Sequence, residues 1–173
     1  MKARGLTVLH APMLAGPSGV AEGAGLMLVA GERRVYDRAA PVLSQIMPKQ
    51  WFVGEREQDA ATFKLMANSI LLNAAEAMVE FFAIGGANGI ERKHAMTLFE
   101  HFDPSKTYTL RGARMANGDY EAAFTAAMAA KDARLMIEAA SAGDVPGIEL
   151  IKKRPDAVVK SGDGDLDMSA VAK

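Results

Sequence analysis

Lys64 and Asn68 are the two residues whose types and spacing most suggest chemistry in this chain. They lie in TFKLMANSILLNAAEAMVEFFAIG, Thr62 to Gly85, which is free of proline and rich in Ala, Leu, Met and Glu; it reads as a helix of about six and a half turns. At about 100° per residue, Ser69, Asn73, Glu76 and Glu80 share one narrow stripe, the expected wet face. Lys64 and Asn68 stand one turn apart roughly opposite it, above Leu71, Ala75, Val79 and Phe82, which are expected to face inward. An inward ammonium beside an inward amide can line a polar pocket, where the ammonium protonates a developing alkoxide. The same spacing fits a Lys64 stem bent back to water, with Asn68 capping a neighbouring backbone group.

The other chemistry-bearing groups carry weaker signals. Gly16, Gly19 and Gly23 in MLAGPSGVAEGA permit close backbone approach or a plain flexible connection. Their spacing matches neither a dinucleotide fingerprint nor a P-loop, because no GxGxxG follows a strand and no Lys-Ser/Thr follows the loop. Lys131 beside Asp132 reads as an ordinary surface pair, and Asp165, Asp167 and Ser169 as caps of a short closing turn. His94 and His101, seven residues apart, have no carboxylate at ligand spacing, so no metal is expected.

Composition narrows the classes. The 173 residues suffice for one good core, or a small domain and part of another. Twenty basic against twenty-one acidic residues, with no like-charge block beyond Lys152-Lys153-Arg154, leave a net charge of -1 and no nucleic-acid footprint. The absence of Cys excludes disulfides, thiolate metal sites and a Cys nucleophile, and fits a reducing compartment. The apolar run before His10 is too short for a signal peptide. Leu65 to Ile84 has the length of a membrane span, but two Glu and two Asn argue against one. A soluble, cytoplasmic protein is expected.

The elements that position these residues follow from pattern. Leu6 to Leu9 and Gly25 to Gly31 read as buried strands, with at most a turn of helix near Val20 to Glu22 between them. Glu32 to Ile46 reads as an amphipathic helix with Val35, Ala39, Val42, Leu43 and Ile46 inward, kinked or divided at Pro41, and Lys49 to Val53 as a third strand. Gly85-Gly86 and Asn88-Gly89 stop the long helix. Four further helices are expected: Glu91 to Phe102 using Ala95, Leu98, Phe99 and Phe102; Thr107 to Asn117; Phe124 to Ala142 using Phe124, Met128, Leu135 and Ala139 and ended by Gly143; and Gly147 to Ser161, interrupted at Pro155.

With these stretches in order the chain resembles the β-hydroxyacid dehydrogenase family, of the 3-hydroxyisobutyrate dehydrogenase and tartronate semialdehyde reductase type. The family's D-A-P-V-S-G-G substrate loop lines up with His10-Ala11-Pro12-Met13-Leu14-Ala15-Gly16. Its K-L-x-x-N signature lines up with Lys64-Leu65-Met66-Ala67-Asn68, and an E-A-x-x-E-like stretch with Glu76 to Glu80. Its K-D-L segment matches Lys131-Asp132-Ala133, and G-D-x-D-x-S-A matches Gly164 to Ala170. Four motifs in the right order make the likeness specific and nearly end to end.

The resemblance implies a mostly α fold with a small α/β remnant: the last strands of a Rossmann-type domain in residues 1–58, then a long interdomain helix and an all-α C-terminal domain, like that of 6-phosphogluconate dehydrogenase, in residues 59–173. It implies Lys64 as catalytic acid/base, Asn68 and the backbone of Leu14, Ala15 and Gly16 as substrate ligands, and Lys131 near the cofactor. The implied partners are NAD or NADP, a small hydroxy acid and a second copy of the chain, with neither nucleic acid nor membrane. His10, Leu14 and Ala15 replace the family's Asp, Ser and one Gly, so a hydroxyl contact to substrate is lost. Without GxGxxG, tight NAD(P) binding by this chain alone is not expected. Two functions follow: part of an NAD(P)-dependent oxidoreductase, or a non-catalytic helical dimerisation or interaction module derived from one.

Overall fold

The computed structural model describes residues 6–141 and 144–173. The expected helix end at Gly143 falls outside them. The chain forms two compact units, Met1–Ala74 and Ala75–Lys173.

The first unit is built on a three-stranded sheet, β1 (Met13–Leu14), β2 (Leu26–Ala30) and β3 (Gln50–Gly54), in that spatial order. β1 runs antiparallel to β2, and β2 parallel to β3 with a shift between Val29 and Ala30. Leu28, Val29 and Ala30 are fully buried, as a short apolar run between glycines should be. The expected strand over Leu6 to Leu9 is displaced: the chain first meets β2 at the His10–Ala30 bridge and forms β1 three residues later. Pro12 has no N–H for the ladder, although its carbonyl accepts from Leu28, so the pairing is split around it.

Helix α1 (Pro17–Ala21) opens on a proline at its first position, where a missing N–H costs nothing. Helix α2 (Arg33–Ile46) runs unbroken through Pro41, contrary to the expected division. Pro41 is exposed, which leaves water to meet the unpaired carbonyl. Its covered face also differs, because Tyr36 and Leu43 pack on Met27, Val29 and Met47 while Val42 and Ile46 are exposed.

Helix α3 (Gln58–Ala87) is the longest element, and it is longer than the pattern implied at both ends. It passes through Gly85 and Gly86 and stops at Asn88-Gly89, where Gly89 takes the left-handed conformation. In the first unit Ala60 and Phe63 bury one face of it against Leu28 and Ala30. Leu65, Met66, Ile70, Leu71 and Leu72 are exposed, as is Val79 in the second unit, so the inward placement of Leu71 and Val79 is overturned. By length and composition alone α3 could cross a membrane.

The second unit continues with α4 (Arg92–Met96), a 3-10 turn at Thr97–Glu100, α5 (Ser105–Asn117), α6 (Ala126–Ala139), α7 (Pro146–Lys160) and a closing 3-10 turn at Met168–Ala172. Gly118 ends α5 in the left-handed conformation, and Thr125 caps α6 by accepting the Met128 N–H. Small residues make the close contacts: Ala126, Ala133 and Ala140 are buried, whereas Met128, Leu135, Leu98 and Phe102, expected in the core, are exposed. Phe99 packs on Phe81. Helix α7 is continuous through Pro155, which is buried within it, so that expected break is also absent.

Candidate functional site

Lys64 sits one turn beyond Ala60 on α3, and Ala60 is fully buried against β2. That anchorage carries the half-buried Lys64 ammonium to the backbone of β1, where Nζ donates to the Met13 carbonyl 51 residues away. An ammonium has three donors, so two remain. Asn68 follows one turn later, half-buried, with no side-chain hydrogen bond among the described residues. The structure therefore brings Lys64 to the Met13–Gly16 stretch within one unit and leaves an amide without a partner beside it.

Leu14 and Ala15 turn their side chains away from each other, as β geometry requires. Leu14 packs against the Leu28, Ala30 and Ala60 cluster and Ala15 against Met27, Val29 and Met47. Gly16 is exposed and precedes α1. The glycines after it approach their own chain: a Cβ at Gly19 would lie 2.7 Å from the Ala24 carbonyl oxygen, and one at Gly25 2.6 Å from the Ala15 Cβ. Of Gly16, Gly19 and Gly23, only Gly19 approaches backbone closely: nothing lies within 4 Å of a Cβ at Gly16, and one at Gly23 would meet only the Pro48 side chain, at 3.5 Å.

Lys131 belongs to the second unit, on α6, where its ammonium lies 2.8 Å from Asp132 and about half of the side chain is exposed. The ionic centre of that unit is Asp167. Its carboxylate is fully buried and holds Arg111 at 3.0 Å and Arg114 at 3.1 Å. Burial would raise its pKa, but the Phe124 N–H, the Ser169 hydroxyl and N–H and the Ala123 N–H more than offset that, holding it well below the ordinary carboxylate range. Asp167 does cap the closing turn, through the Ser169 N–H at 2.9 Å. Its two arginines had no local signature, lying 56 and 53 residues upstream.

Glu80 is a further residue that periodicity misplaces. It is 3 % exposed, not on a wet stripe, and accepts the N–H groups of Gly147 and Ile148 at the start of α7. Among the described residues no group of three His, Asp or Glu side chains is placed to hold a metal ion.

Residues 59–173 match the family described as NAD-binding of NADP-dependent 3-hydroxyisobutyrate dehydrogenase. The chain belongs to this family. It is 30% identical over 173 residues to the uncharacterized oxidoreductase YfjR of Bacillus subtilis, and 29% identical over 180 residues to the NAD-dependent L-serine dehydrogenase of Pseudomonas aeruginosa. Each comparison covers 98% of this chain and 60% of the relative, so the chain spans about three fifths of the length of these curated relatives. An imine reductase from Myxococcus stipitatus in complex with NADP+ superposes with a TM-score of 0.88 at 14% identity, covering 98% of this chain and 62% of that one. At that identity the likeness concerns the fold: a mostly helical chain with a small sheet, matching the helical C-terminal portion of the dehydrogenase fold.

Proposed function

We propose that this chain is part of an NAD(P)-dependent oxidoreductase acting on a small 3-hydroxy acid or its semialdehyde, with Lys64 as the acid/base. Residues 1–58 then form the remnant of the dinucleotide-binding domain, and residues 59–173 the helical domain. One observation carries the reading: the Lys64 ammonium sits on the Met13 carbonyl of the loop that precedes Gly16, with the unpartnered Asn68 amide one turn away. The bond to Met13 fixes Nζ while its other two N–H groups stay available to a substrate oxygen. In reduction Lys64 gives a proton to the oxygen of the forming alkoxide; in oxidation the neutral amine takes the hydroxyl proton. The nicotinamide, when bound, supplies or accepts the hydride. Asn68 holds the same substrate oxygen or its neighbour, backbone N–H groups at Leu14 to Gly16 meet the substrate carboxylate, and Lys131 lies on the cofactor side.

The replacement of the loop hydroxyl by Leu14, whose side chain packs into the core, leaves backbone groups to bind the carboxylate. The substrate class rests on the names of relatives, an L-serine dehydrogenase and a 2-hydroxy-3-oxopropionate reductase. The enzyme works in the cytoplasm as a soluble dimer.

The test is dehydrogenase activity of this chain supplied with a separately expressed dinucleotide-binding half of a relative, scored against Lys64→Met. Expected is a loss of about 10²–10⁴-fold in kcat, the usual worth of a positioned acid/base. Equal kcat for Lys64→Met overturns the assignment.

A second reading, a non-catalytic helical dimerisation module, is favoured by the exposed apolar residues of α3. Self-association together with silence in the complementation assay would select it.

A further inference from the structure

We propose that the cavity beside α5 is a binding site for a phosphate-type oxyanion. This inference is independent of the Lys64 site and lies wholly within the second unit. The cavity encloses about 620 Å³, in the range of small-molecule pockets. Thr107, Leu110, Arg111 and Arg114 line it at the i, i+3, i+4, i+7 spacing of one helix face, joined by Lys106 and Asp103 at the start of α5 and by Asp167 from the chain's end.

The cations outnumber the carboxylates, and the carboxylates are already occupied. Lys106, Arg111 and Arg114 stand against Asp103 and Asp167, a formal excess of one positive charge (three minus two). Asp103 accepts the Ser105 N–H, and Asp119, outside the lining, reaches Arg114 at 3.4 Å. Oδ1 of Asp167 accepts from Arg111 Nη1, Ser169 N and Ser169 Oγ, while Oδ2 accepts from Ala123 N and Phe124 N and forms an ion pair with Arg114 Nη1. Five hydrogen-bond donors on two oxygens saturate a carboxylate, which has about four acceptor positions. Asp167 therefore holds both guanidinium groups in place without using them up. Arg111 has a single hydrogen-bond acceptor among the described residues, and a guanidinium carries five N–H donors. Its guanidinium carbon also lies over the Phe124 ring, 5.6 Å from the centroid.

Among the described residues Lys106 has no carboxylate within ion-pair distance and the Thr107 hydroxyl has no hydrogen-bond partner. Two oriented guanidinium forks with a free ammonium and a hydroxyl match the tetrahedral oxygens of phosphate better than the plane of a lone carboxylate. The cavity has room beyond the anion for the rest of a small phosphate monoester.

The test titrates inorganic phosphate into the full chain, 15N-labelled, at low ionic strength with chloride as control, and follows the arginine Nε–H resonances. Expected are saturable shifts at Arg111 and Arg114, a much weaker response to chloride, and a loss of affinity of about tenfold or more in Lys106→Glu. Lys106 has no ion pair to break, so that variant keeps its melting behaviour without phosphate. Acetate matching phosphate, absence of saturation by about 20 mM, shifts confined to other arginines, or an unchanged affinity in Lys106→Glu would each overturn the proposal.

Discussion

Glu80 on α3 receives the backbone N–H groups of Gly147 and Ile148, the latter at 2.9 Å, and so caps α7 from another helix. Val145, at the N-cap position of α7, makes no side-chain cap bond of its own. A Cβ at residue 147 would lie 2.9 Å from the Glu80 Oε1, so the glycine makes room for the carboxylate. The negative charge also sits where the helix dipole favours it.

Removing that carboxylate leaves two N–H groups without acceptors, so Glu80→Ala is expected to destabilise by about 1–3 kcal/mol. Gly147→Ala would ordinarily gain helix propensity, yet here it is expected to destabilise. In the double variant the clash disappears, and the two effects should fall short of their sum. Urea unfolding of the four proteins measures this; strict additivity would remove the capping role.

Asp167 makes stability depend on acid. Its folded pKa is depressed, so the stability it contributes is complete above the unfolded value of about 3.9 and drains away as pH falls below that. Asp167→Asn is expected to cost about 3–5 kcal/mol at pH 7, since Arg111 and Arg114 lose their buried partner. The gap from the wild type should narrow as pH falls below about 4. A gap that stays constant between pH 7 and pH 3 would contradict the assignment.

The apolar surface of α3 is expected to drive self-association. Leu65, Leu71 and Leu72 are each more than 60% exposed, with 69, 65 and 73% of their surfaces open to solvent. Large apolar side chains left this exposed are the usual mark of an interaction surface. Light scattering should show a species larger than a monomer, reduced to a monomer by Leu71→Lys with Leu72→Glu. A monomeric wild type that melts cooperatively would rule this out.

Calorimetry of NAD+ and NADP+ against this chain alone should show no tight binding. The glycines that approach backbone closely here do so within their own chain, Gly19 at the Ala24 carbonyl and Gly25 at the Leu14 carbonyl. Micromolar affinity would show that a nucleotide site exists outside the known fingerprint.

Local chemistry made several elements readable in advance. The buried strand from Leu26 to Ala30, the existence of α3 and the Asp167–Ser169 cap depend on neighbours within a few residues, whose effects pattern and propensity encode. Lys64 and Asn68 stood out as polar residues against an apolar helix face, and the pairing with Met13 gives that oddity a partner 51 residues away.

Periodicity failed where the cover of a face comes from distant chain. It groups Glu80 with Ser69, Asn73 and Glu76 because all four polar residues share an angle, but the start of α7 arrives over Glu80 alone and buries it. It likewise turns Leu71 and Val79 inward, although no described part of the chain covers either. Arg111 and Arg114 carry no signal of their own, since a charged helix residue looks solvated until its counter-ion is known. The sequence by itself determined most of the helices and the strands β2 and β3, and showed that Lys64 and Asn68 are out of place on an apolar face. Only the tertiary structure decided which face is covered and which charge meets which, because the partners lie tens of residues apart and folding alone brings them within hydrogen-bond reach.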